Sequence, residues 1–312
     1  MRNSMVIKNK KNALDKFFKK ERVEDSKDKW LLFDAHNLMF RTVFTATRMD
    51  PLDKTFTSWK FLMINSIFRA VQQFQPNQVM FALDSRNYWR KKVYAEYKGH
   101  RKGDRKKSSV DFDAFFPVAD QFWSELQEVL TNFHFMRIDT IEADDTIAVF
   151  TREISPKSKI INISTDHDMY QLMTNKNYQQ YDPIKRKIVK CINPKVDLQM
   201  KILTGDRSDN IPAVAPRTGE ATAKKILNAG LENFLINEEV KSNYERNKNL
   251  IDFDCIPEDI ITMIKTSFNE QNITDYNGTA MYQFLVKNKI LRVLEELQDV
   301  IPTIKKVGKG KE

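Results

Sequence analysis

Nine acidic side chains lie where they can do metal chemistry, because each follows a predicted strand or lies at a predicted turn. The C-terminal ends of the strands in an open parallel sheet share one edge, and binding crevices form beside it. So many carboxylates in one place repel one another unless divalent cations neutralise them, and carboxylate oxygens are ligands that Mg²⁺ and Mn²⁺ prefer. We therefore predict a metal site formed by Asp34, Asp84, Glu142, Asp144, Asp145, Asp166, Asp168, Asp206 and Asp209.

The spacing of these acids agrees with a shared site. Asp166 and Asp168 alternate across a turn, whereas Glu142 and Asp145 are three residues apart and share a helix face, a spacing repeated in 206–209. Two metal ions held by such a set can bind the attacking water and the leaving oxygen of a phosphodiester displacement. The alternative is that each acid caps a helix, since Asp and Glu also favour helix N-termini.

The rest of the chain is basic. Lys and Arg number 51 against 42 Asp and Glu, which gives the 312-residue chain a formal charge of +9. If the acids gather in one pocket, the remaining surface is more basic still. An acidic pocket in a basic surface fits an enzyme that acts on a polyanion, with nucleic acid as the first candidate. The alternative is a Lys-rich surface that only aids solubility.

Other features exclude several protein classes. No run of about 18 apolar residues is present, so we expect no membrane span. The basic N-terminus lacks the apolar run of a secretory signal. Cys191 and Cys255 are far apart and the chain has 4 histidines, which argues against a zinc site. We expect a reducing cytoplasm as the setting.

A mostly parallel sheet must position the acids. From Trp30 to about Tyr181, short apolar runs alternate with helical patterns, as in βαβ units, and from about residue 195 only amphipathic helical patterns remain. The predicted strands are 30–34, 78–84, 133–138, 159–164, 177–181 and 187–192. The predicted helices are 58–74, 113–130, 142–153, 167–173, 195–204, 219–228, 238–250, 257–267 and 278–298.

These patterns divide the chain into four parts. Residues 1–28 form a charged tail and 29–194 an α/β core. An all-α part covers 195–304, and the polar residues 305–312 are expected to fray.

A basic and aromatic segment follows Asp84. Nine of the twenty residues in 88–107 are Lys or Arg, and aromatic residues lie among them. Cations hold phosphates, and aromatic rings stack on the bases of single strands. The alternative is a solvated loop whose aromatic rings pack on the core. As nucleic-acid contacts in this segment we predict Arg90, Lys91, Tyr94 and Tyr97.

Six short segments resemble the motifs of the 5′ nuclease family, which includes the flap endonucleases, and they occur in the family's order across about residues 30–230. They are Phe33-Asp-Ala-His-Asn37, Ala82-Leu-Asp84, Tyr97-Lys-Gly-His-Arg101, Glu142-Ala-Asp-Asp145, Ser164-Thr-Asp-His-Asp168 and Gly205-Asp-Arg-Ser-Asp-Asn-Ile-Pro212. Two further segments, 249–257 and 284–287, resemble the C-terminal region of the phage ribonuclease H branch of this family.

The resemblance implies a PIN-like α/β core with flanking helices, a helical arch at 88–118, and an all-α C-terminal part with a helix-three-turn-helix element. It implies a Mg²⁺-dependent, structure-selective 5′ to 3′ exonuclease and flap endonuclease that acts on RNA–DNA and DNA–DNA duplexes. Two Mg²⁺ ions per site are expected, with Mn²⁺ as a substitute. The expected role is removal of RNA primers from lagging-strand fragments by a monomer in the host cytoplasm, with branched or nicked DNA and RNA–DNA hybrid as partners.

The resemblance also assigns roles to the acids. By motif position, the first metal ion would be held by Asp34, Asp84, Glu142 and Asp144. The second would be held by Asp168, Asp206 and Asp209, with Asp166 between the two groups and Asp145 nearby. Lys98 and Arg101 take the place of the basic pair that contacts the scissile phosphate from the arch.

The helix-three-turn-helix, at 205 to about 227, departs from the family pattern. The usual glycine–hydrophobic–glycine turn keeps only Gly219, and Pro216 removes an amide donor. This argues against a monovalent-cation site in the loop. Duplex binding is expected to depend instead on Arg217, Lys224 and Lys225.

The N-terminal tail resembles the short peptides by which replication proteins bind sliding clamps. Leu14, Phe17 and Phe18 would enter an apolar groove of the clamp, although Lys11 stands where such peptides usually carry Gln. The alternative is a short amphipathic helix that packs on the protein itself. A single-stranded DNA-binding protein is a second expected partner, through the C-terminal helices.

The residues also allow two other functions. The first is a non-catalytic nucleic-acid-binding scaffold, in which the acids are helix caps. The second is a PIN-type endoribonuclease that acts on single-stranded RNA, against which the helix-three-turn-helix argues because that element serves duplex binding.

Overall fold

The computed structural model describes residues 28–309, without the side chains of residues 102, 295 and 296. The strands form one sheet and are β1 (Lys29–Asp34), β2 (Gln78–Leu83), β3 (His134–Arg137), β4 (Lys159–Ile163), β5 (Tyr178–Asp182) and β6 (Lys187–Ile188). Their order is β3-β2-β1-β4-β5-β6, with β1 to β5 parallel and β6 antiparallel to β5. The predicted mostly parallel sheet is therefore confirmed.

The strand order reverses at β1, whose neighbours are β2 and β4. At such a point the connections leave in opposite directions, which opens a crevice beside the C-terminal end of the central strand. Asp34 ends β1, Asp84 directly follows β2, and 164–168 directly follow β4. The topology therefore brings three of the predicted acidic groups to one place.

The helices of the described chain follow in order. They are α1 (Ala35–Met49), α2 (Thr57–Phe74), α3 (Arg90–Val93), α4 (Arg101–Lys106), α5 (Phe112–Val129), α6 (Ala143–Val149), α7 (Pro194–Thr204), α8 (Glu220–Ala229), α9 (Leu231–Phe234), α10 (Glu238–Ile251), α11 (Glu258–Asn269), α12 (Gly278–Lys287) and α13 (Leu294–Ile304). Helix α6 continues into a π-helical turn at Phe150–Ile154, and short 3₁₀ turns lie at Asp168–Thr174, Arg207–Asp209, Phe253–Cys255 and Leu291–Val293.

Alternation along β1 supplies two cores, one on each face of the sheet. Leu31 and Phe33 pack in the larger core with α1, α2, α5, α12 and α13, whereas Trp30 and Leu32 pack in a smaller core with α6 and α11. A third core joins α7, α8 and α10, and Tyr97 inserts into it. The helices after residue 194 therefore pack in three places.

Helix α1 was not predicted. Asp34 ends β1 and also caps α1, since its Oδ1 accepts a hydrogen bond from the backbone N–H of Asn37 at 3.1 Å. The helix buries a narrow stripe that includes Leu38, Met39 and Val43, and it packs against α2. Threonine and arginine residues in 41–48 hide the helical pattern in the sequence.

Two predictions about the C-terminal residues are wrong. The predicted helix 278–298 is two helices, because α12 ends at Lys287 and Lys289 adopts a left-handed backbone with φ 59° before α13 begins. The expected fraying of 305–312 fails over the described residues 305–309. Val307 is 1% exposed in the larger core, and the N–H of Gly308 donates to the carbonyl of Asn77 at 3.0 Å.

Three further predictions concern the last strand, the N-terminal tail and membrane-spanning helices. The predicted strand 187–192 shortens to Lys187–Ile188, where pairing with β5 ends. Leu14, Phe17 and Phe18 lie outside the described residues. Among residues 28–309, no helix has both the length and the apolar character that crossing a membrane requires.

Candidate functional site

A crevice of about 790 Å³ lies at the C-terminal edge of β1, β2 and β4, and we call it the acidic crevice. Glu142 and Asp145, the other two acids of the predicted set, lie outside its lining. The crevice is lined by the remaining seven, Asp34, Asp84, Asp144, Asp166, Asp168, Asp206 and Asp209. One face of it is lined by Phe40, Arg41 and Phe44 of α1.

Asp34 and Asp84 are held in place by the elements that follow their strands. Asp34 Oδ2 accepts a hydrogen bond from Ser164 Oγ at 2.9 Å, and Asp84 Oδ1 accepts one from the backbone N–H of Ala143 at 2.8 Å. The backbone N–H of Asp84 donates to His36 Nδ1 at 3.0 Å, so the other ring nitrogen of the neutral imidazole carries the proton. Both carboxylates are therefore fixed by groups that leave oxygen lone pairs facing the crevice.

Burial, together with the proximity of the acids, raises several pKa values in the crevice. Burial, reinforced by the charges of Asp166 and Asp84, raises the pKa of Asp34 to about 7. Burial and the neighbouring Glu142 hold the pKa of Asp144 well above its usual range. Like charges in a poorly solvated site disfavour ionisation, and a divalent cation would remove that penalty.

A second group of carboxylates gathers on the other side of the crevice. Oxygens of Asp168, Asp206 and Asp209 lie within 4.8 Å of one another, which is close enough to share a metal ion. Burial raises the pKa of Asp168 to about 6, although Lys201 opposes the rise. Burial would also raise the pKa of Asp206, but the Lys201 ammonium holds it below the usual value.

Lys201 is a site residue that the sequence analysis missed. Its Nζ donates to Asp168 and lies 2.6 Å from Asp206 Oδ2, so one ammonium bridges two predicted ligands. Lys201 lies on α7, five residues before Asp206. Helix α7 ends at the tight turn of Gly205, which places Asp206 beside Lys201. That turn needs glycine, because φ is +70° and a Cβ would lie 2.3 Å from the Ile211 carbonyl oxygen.

Beneath the crevice lies a buried layer formed by Trp89, Arg90, Tyr97, Glu142 and Asp145. Arg90 Nη2 donates to Asp145 Oδ1 at 2.7 Å, and Arg90 Nη1 donates to Glu142 Oε2 at 2.8 Å. Trp89 Nε1 donates to Asp145 Oδ2 at 2.8 Å. Arg90 Nε reaches the carbonyl of Leu250 on α10 at 2.8 Å, so the guanidinium joins three segments of the chain.

The buried layer corrects three predictions. Asp145 is fully buried and both of its oxygens accept hydrogen bonds from Arg90 or Trp89, so it is not placed as a direct metal ligand. Arg90 and Tyr97 are each 2% exposed and cannot contact nucleic acid from these positions. Tyr97 instead donates from its hydroxyl to Glu142 Oε2 at 3.1 Å. Arg90 and Asp145 pair with each other inside the protein, so their charges are not free to bind a ligand.

Lys98 and Arg101 connect the buried layer to the crevice. Lys98 Nζ donates to Glu142 and lies 3.7 Å from Asp209 Oδ2, and Arg101 Nη2 lies 2.6 Å from Asp209 Oδ1. Burial would lower the pKa of Lys98, but Glu142 and Asp209 hold it well above its usual range. Burial would likewise raise the pKa of Glu142, yet Lys98 and Arg90 lower it to about 2. Lys98 is therefore a charged group at the rim of the acidic crevice.

The segment 88–106 is fastened to the turn that carries Asp209. The backbone N–H of Lys98 donates to the Asp209 carbonyl at 2.9 Å, and Asn210 Nδ2 donates to the Glu96 carbonyl at 2.8 Å. Lys98 adopts a left-handed backbone with φ 55°, and its side chain is buried. Tyr94 lies beneath the Arg246 guanidinium at 5.3 Å, while Lys91 is exposed.

Two smaller crevices adjoin the acidic one. The first, of about 450 Å³, shares His167, Asp168 and Lys201 with it and reaches Lys224 of α8. The second, of about 760 Å³, shares Asp84 and Arg101 and is lined by further arginines and aromatic rings; we call it the arginine crevice. Arg217, Lys224 and Lys225 are all exposed in or beside α8.

Comparisons with known proteins agree with this geometry. A family model described as 5′-3′ exonuclease, N-terminal resolvase-like domain matches residues 29–200. The chain is 28% identical over 264 residues to the ribonuclease H of Enterobacteria phage T4, covering 77% of this chain and 86% of that protein. It is 27% identical over 216 residues to DNA polymerase I of Bacillus subtilis, covering 64% of this chain but 23% of the polymerase.

The fold is similar to solved phage structures. The bacteriophage T5 D15 flap endonuclease, in a pseudo-enzyme-product complex with DNA and metal ions, gives a TM-score of 0.59 at 19% identity, covering 77% of this chain and 98% of that chain. A T5 5′-exonuclease structure with bound zinc gives a TM-score of 0.58 at 19% identity, covering 78% and 100%. The likeness confirms the PIN-like α/β fold predicted from the sequence.

Proposed function

Because the chain belongs to the 5′-3′ exonuclease family, we propose that it is a Mg²⁺-dependent, structure-selective 5′ to 3′ exonuclease and flap endonuclease. Membership of the 5′ nuclease family, expected from the motifs, is confirmed by the family match over residues 29–200. The observation that supports the reaction best is the convergence of seven carboxylates beside Lys98 and Arg101 in one crevice.

The donor set fits divalent metal ions. Seven carboxylates dominate the lining of the acidic crevice, which contains no cysteine, and such an oxygen-rich set suits hard cations such as Mg²⁺ or Mn²⁺. We propose that Asp34, Asp84 and Asp144 hold one ion, and that Asp168, Asp206 and Asp209 hold the second, with Asp166 between them. Glu142 stays a proposed ligand of the first ion, and Lys98 must then leave its carboxylate. Bound metal would supply a deprotonated water and stabilise the leaving oxygen.

The protein's own cations would act on the reacting phosphate. Lys98 and Arg101 are placed to stabilise the negative charge that grows on the phosphate in the transition state. Their present partners, Glu142 and Asp209, hold them at the rim, where Lys98 is buried and Arg101 is partly exposed. Lys201 keeps Asp168 and Asp206 from repelling each other, and it has to yield to a cation that binds there.

The order of the crevices supports a path for the substrate. A strand that crosses the acidic crevice meets Lys224 on one side and the arginine crevice on the other. We propose that the duplex lies against α8, where Arg217, Lys224 and Lys225 are exposed, and that the single-stranded 5′ end enters the arginine crevice. Lys91 and Tyr94 stay proposed contacts, for which Tyr94 would have to part from Arg246.

The biological role follows as a further part of the proposal. A nuclease of this kind would remove RNA primers from lagging-strand fragments, and the likeness to a phage ribonuclease H supports activity on RNA–DNA hybrid. We propose 29–194 as the nuclease core with an arch at 88–118, and 195–304 as the helical part. A sliding clamp would bind through Leu14, Phe17 and Phe18. A single-stranded DNA-binding protein would bind the C-terminal helices, where Tyr282 and Val286 are exposed on α12.

The decisive experiment compares substrates. Cleavage of a 5′ flap, a nicked duplex, an RNA–DNA hybrid and single-stranded RNA is measured with Mg²⁺ and with chelator. We expect metal-dependent cleavage of the first three from the 5′ side. Binding without metal-dependent cleavage would instead indicate a scaffold, and preferred cleavage of single-stranded RNA would indicate a PIN-type endoribonuclease.

A matched test addresses the duplex surface. Replacing Lys224 and Lys225 with Ala removes two exposed charges of α8. If both contact phosphate, the slope of log K against log salt should flatten by about one to two units. The control replaces Lys265 of α11, which pairs with Glu153 of the π-helical turn. An unchanged slope in the double variant would place duplex binding elsewhere.

A further inference from the structure

One carboxylate in the arginine crevice holds two of its arginines. The crevice is lined by Arg86, Arg101, Arg105 and Arg137, together with rings that include Tyr88. Asp120 of α5 contacts Arg86 Nη2 through Oδ2 at 2.8 Å and Arg137 Nη1 through Oδ1 at 3.2 Å. We call these three residues the Asp120 clasp.

The clasp lies beside the acidic crevice. Arg137 ends β3 and is in register with Leu83, the residue before Asp84. The charge of Asp120 also acts on His36, whose ring accepts the Asp84 backbone N–H. An anion that extended from the reacting position into the arginine crevice would therefore meet the clasp close to Asp84, a proposed metal ligand.

The clasp is open to solvent. The side chain of Asp120 is 38% exposed, that of Arg137 is 40% exposed and that of Arg86 is 89% exposed. Exposed ion pairs are weak and exchange with other anions, in contrast to buried pairs. A phosphodiester offers the same paired oxygens as a carboxylate and binds guanidinium groups in the same geometry. Asp120 and a backbone phosphate are thus competitors for the same two guanidinium groups.

We propose that Asp120 is a specificity-determining residue that competes with the phosphates of a single-stranded 5′ end for Arg86 and Arg137. The inference rests on the 5′ nuclease function proposed above. The competition weakens binding of substrates whose 5′ strand is long enough to enter the arginine crevice. It does not affect a nicked duplex, which has no single strand to place there. Asp120 therefore shifts the balance from flap cleavage towards exonucleolytic cleavage at nicks.

Asp120→Asn tests the proposal with an isosteric change. We expect the variant to bind a 5′-flap duplex about three- to tenfold more tightly, because two guanidinium groups are released to phosphate. The slope of log K against log salt should steepen by about 1.4 units if both guanidinium groups contact phosphate, since each phosphate contact with a single strand adds about 0.7. Affinity for a nicked duplex should not change. Binding is measured by fluorescence anisotropy with chelator, so that it is separated from cleavage.

A control on the same helix isolates the effect of position. Glu125 of α5 pairs with Lys287 Nζ at 2.8 Å and does not line the arginine crevice. Glu125→Gln removes a charge of the same sign from α5 and should leave both affinities unchanged. Adding Asp120→Asn to an Arg86→Gln, Arg137→Gln double variant should have no further effect, because the contested groups are gone.

Three outcomes would overturn the inference. Weaker flap binding by Asp120→Asn would show that the carboxylate orients the arginines towards phosphate. An equal gain for flap and nicked duplex would show a general charge effect. An additive effect in the triple variant would show that Asp120 acts through other groups. A wild-type protein that cleaves no 5′-ended duplex would refute the proposed function. The binding comparison would still test whether Asp120 competes with phosphate for the two arginines.

Discussion

The acidic crevice and the buried layer beneath it hold the same kinds of side chain in two different states. In the crevice, Asp168 and Asp206 share the single flexible ammonium of Lys201. In the buried layer, Asp145 is held by the planar guanidinium of Arg90 and by the indole of Trp89. An ammonium on a long side chain can release its partners to a metal ion. A buried guanidinium whose three nitrogens all donate hydrogen bonds is costly to displace.

This difference separates neighbouring residues of one motif. Asp144 lines the acidic crevice and Asp145 points into the buried layer, although they are adjacent in sequence. Successive side chains on a helix differ by about 100°, so one faces the crevice and the next faces the protein interior. The carboxylates of the crevice are therefore candidates for metal binding, and the buried Asp145 positions the elements that carry them.

Arg90→Ala should have the largest effect on folding. It leaves Asp145 buried without its cation, and loss of one partner from a buried pair costs about 3–5 kcal/mol. Arg152→Ala breaks a partly exposed pair with the exposed Asp254 and should cost less than about 1 kcal/mol. Urea unfolding of both variants measures the difference. Equal losses would show that the buried layer is no more structural than a surface pair.

Asp168→Asn should affect chemistry and leave folding intact. Losing one carboxylate of the crevice disorders a metal ion, so the single-turnover rate should fall about a hundredfold or more, equivalent to about 2.7 kcal/mol. Asp84→Asn should behave alike. The control is Asp254→Asn, an exposed acid away from the crevice. Near-normal rates in both crevice variants would remove the metal role from these residues.

Lys98→Ala tests the residue that joins the two regions. If Lys98 stabilises transition-state charge, the single-turnover rate should fall about ten- to a hundredfold while Kd for a flap substrate changes less than about threefold. Lys91→Ala, an exposed lysine of the same segment, is the comparison. A Kd that worsens as much as the rate falls would make Lys98 a backbone contact only.

The pH dependence of metal stabilisation should be the smallest effect. In the metal-free protein, burial raises the pKa of Asp34 to about 7 and of Asp168 to about 6, from 3.8 in an unperturbed Asp. The folded state then holds protons that the unfolded chain has lost, so these groups withdraw stability as pH rises from about 4 to 7. Bound metal replaces those protons.

The increase in Tm caused by Mg²⁺ should therefore grow between pH 5 and pH 8. Tm scans with and without metal are compared at each pH, which cancels the titration of histidines that lie outside the crevice. In Asp34→Asn, the Tm increase caused by Mg²⁺ should grow less with pH than in the wild type. A Tm increase that is the same at every pH would mean that metal binding displaces no protons from the crevice.

The sheet was predictable because its strands are continuous apolar runs bounded by turns. Residues such as Phe33 and Phe81 are buried in register on neighbouring parallel strands, which is the environment that such runs indicate. Helix α1 escaped prediction because its buried stripe is narrow and interrupted by threonine and arginine.

The sequence predicted most of the acids that form the site, but not which of them face the crevice and which are buried. The crevice acids were predicted from their positions after strands and at turns. Nothing in the local sequence distinguishes Asp144 from Asp145. The distinction comes from Arg90, which is 55 residues away from Asp145 along the chain, and from Leu250, which is 160 residues away from Arg90. Likewise, the basic and aromatic segment suggested contacts with nucleic acid, whereas Tyr97 enters the core beside α10.

The central claim is that the crevice carboxylates, and not Asp145, hold two divalent ions. Anomalous diffraction from crystals grown with Mn²⁺ and a nicked duplex tests it directly. The account predicts two peaks, one beside Asp34, Asp84 and Asp144, and one beside Asp168, Asp206 and Asp209, with Lys201 displaced from its present partners. No peak in the crevice, or a peak coordinated by Asp145 after Arg90 has moved, would contradict it.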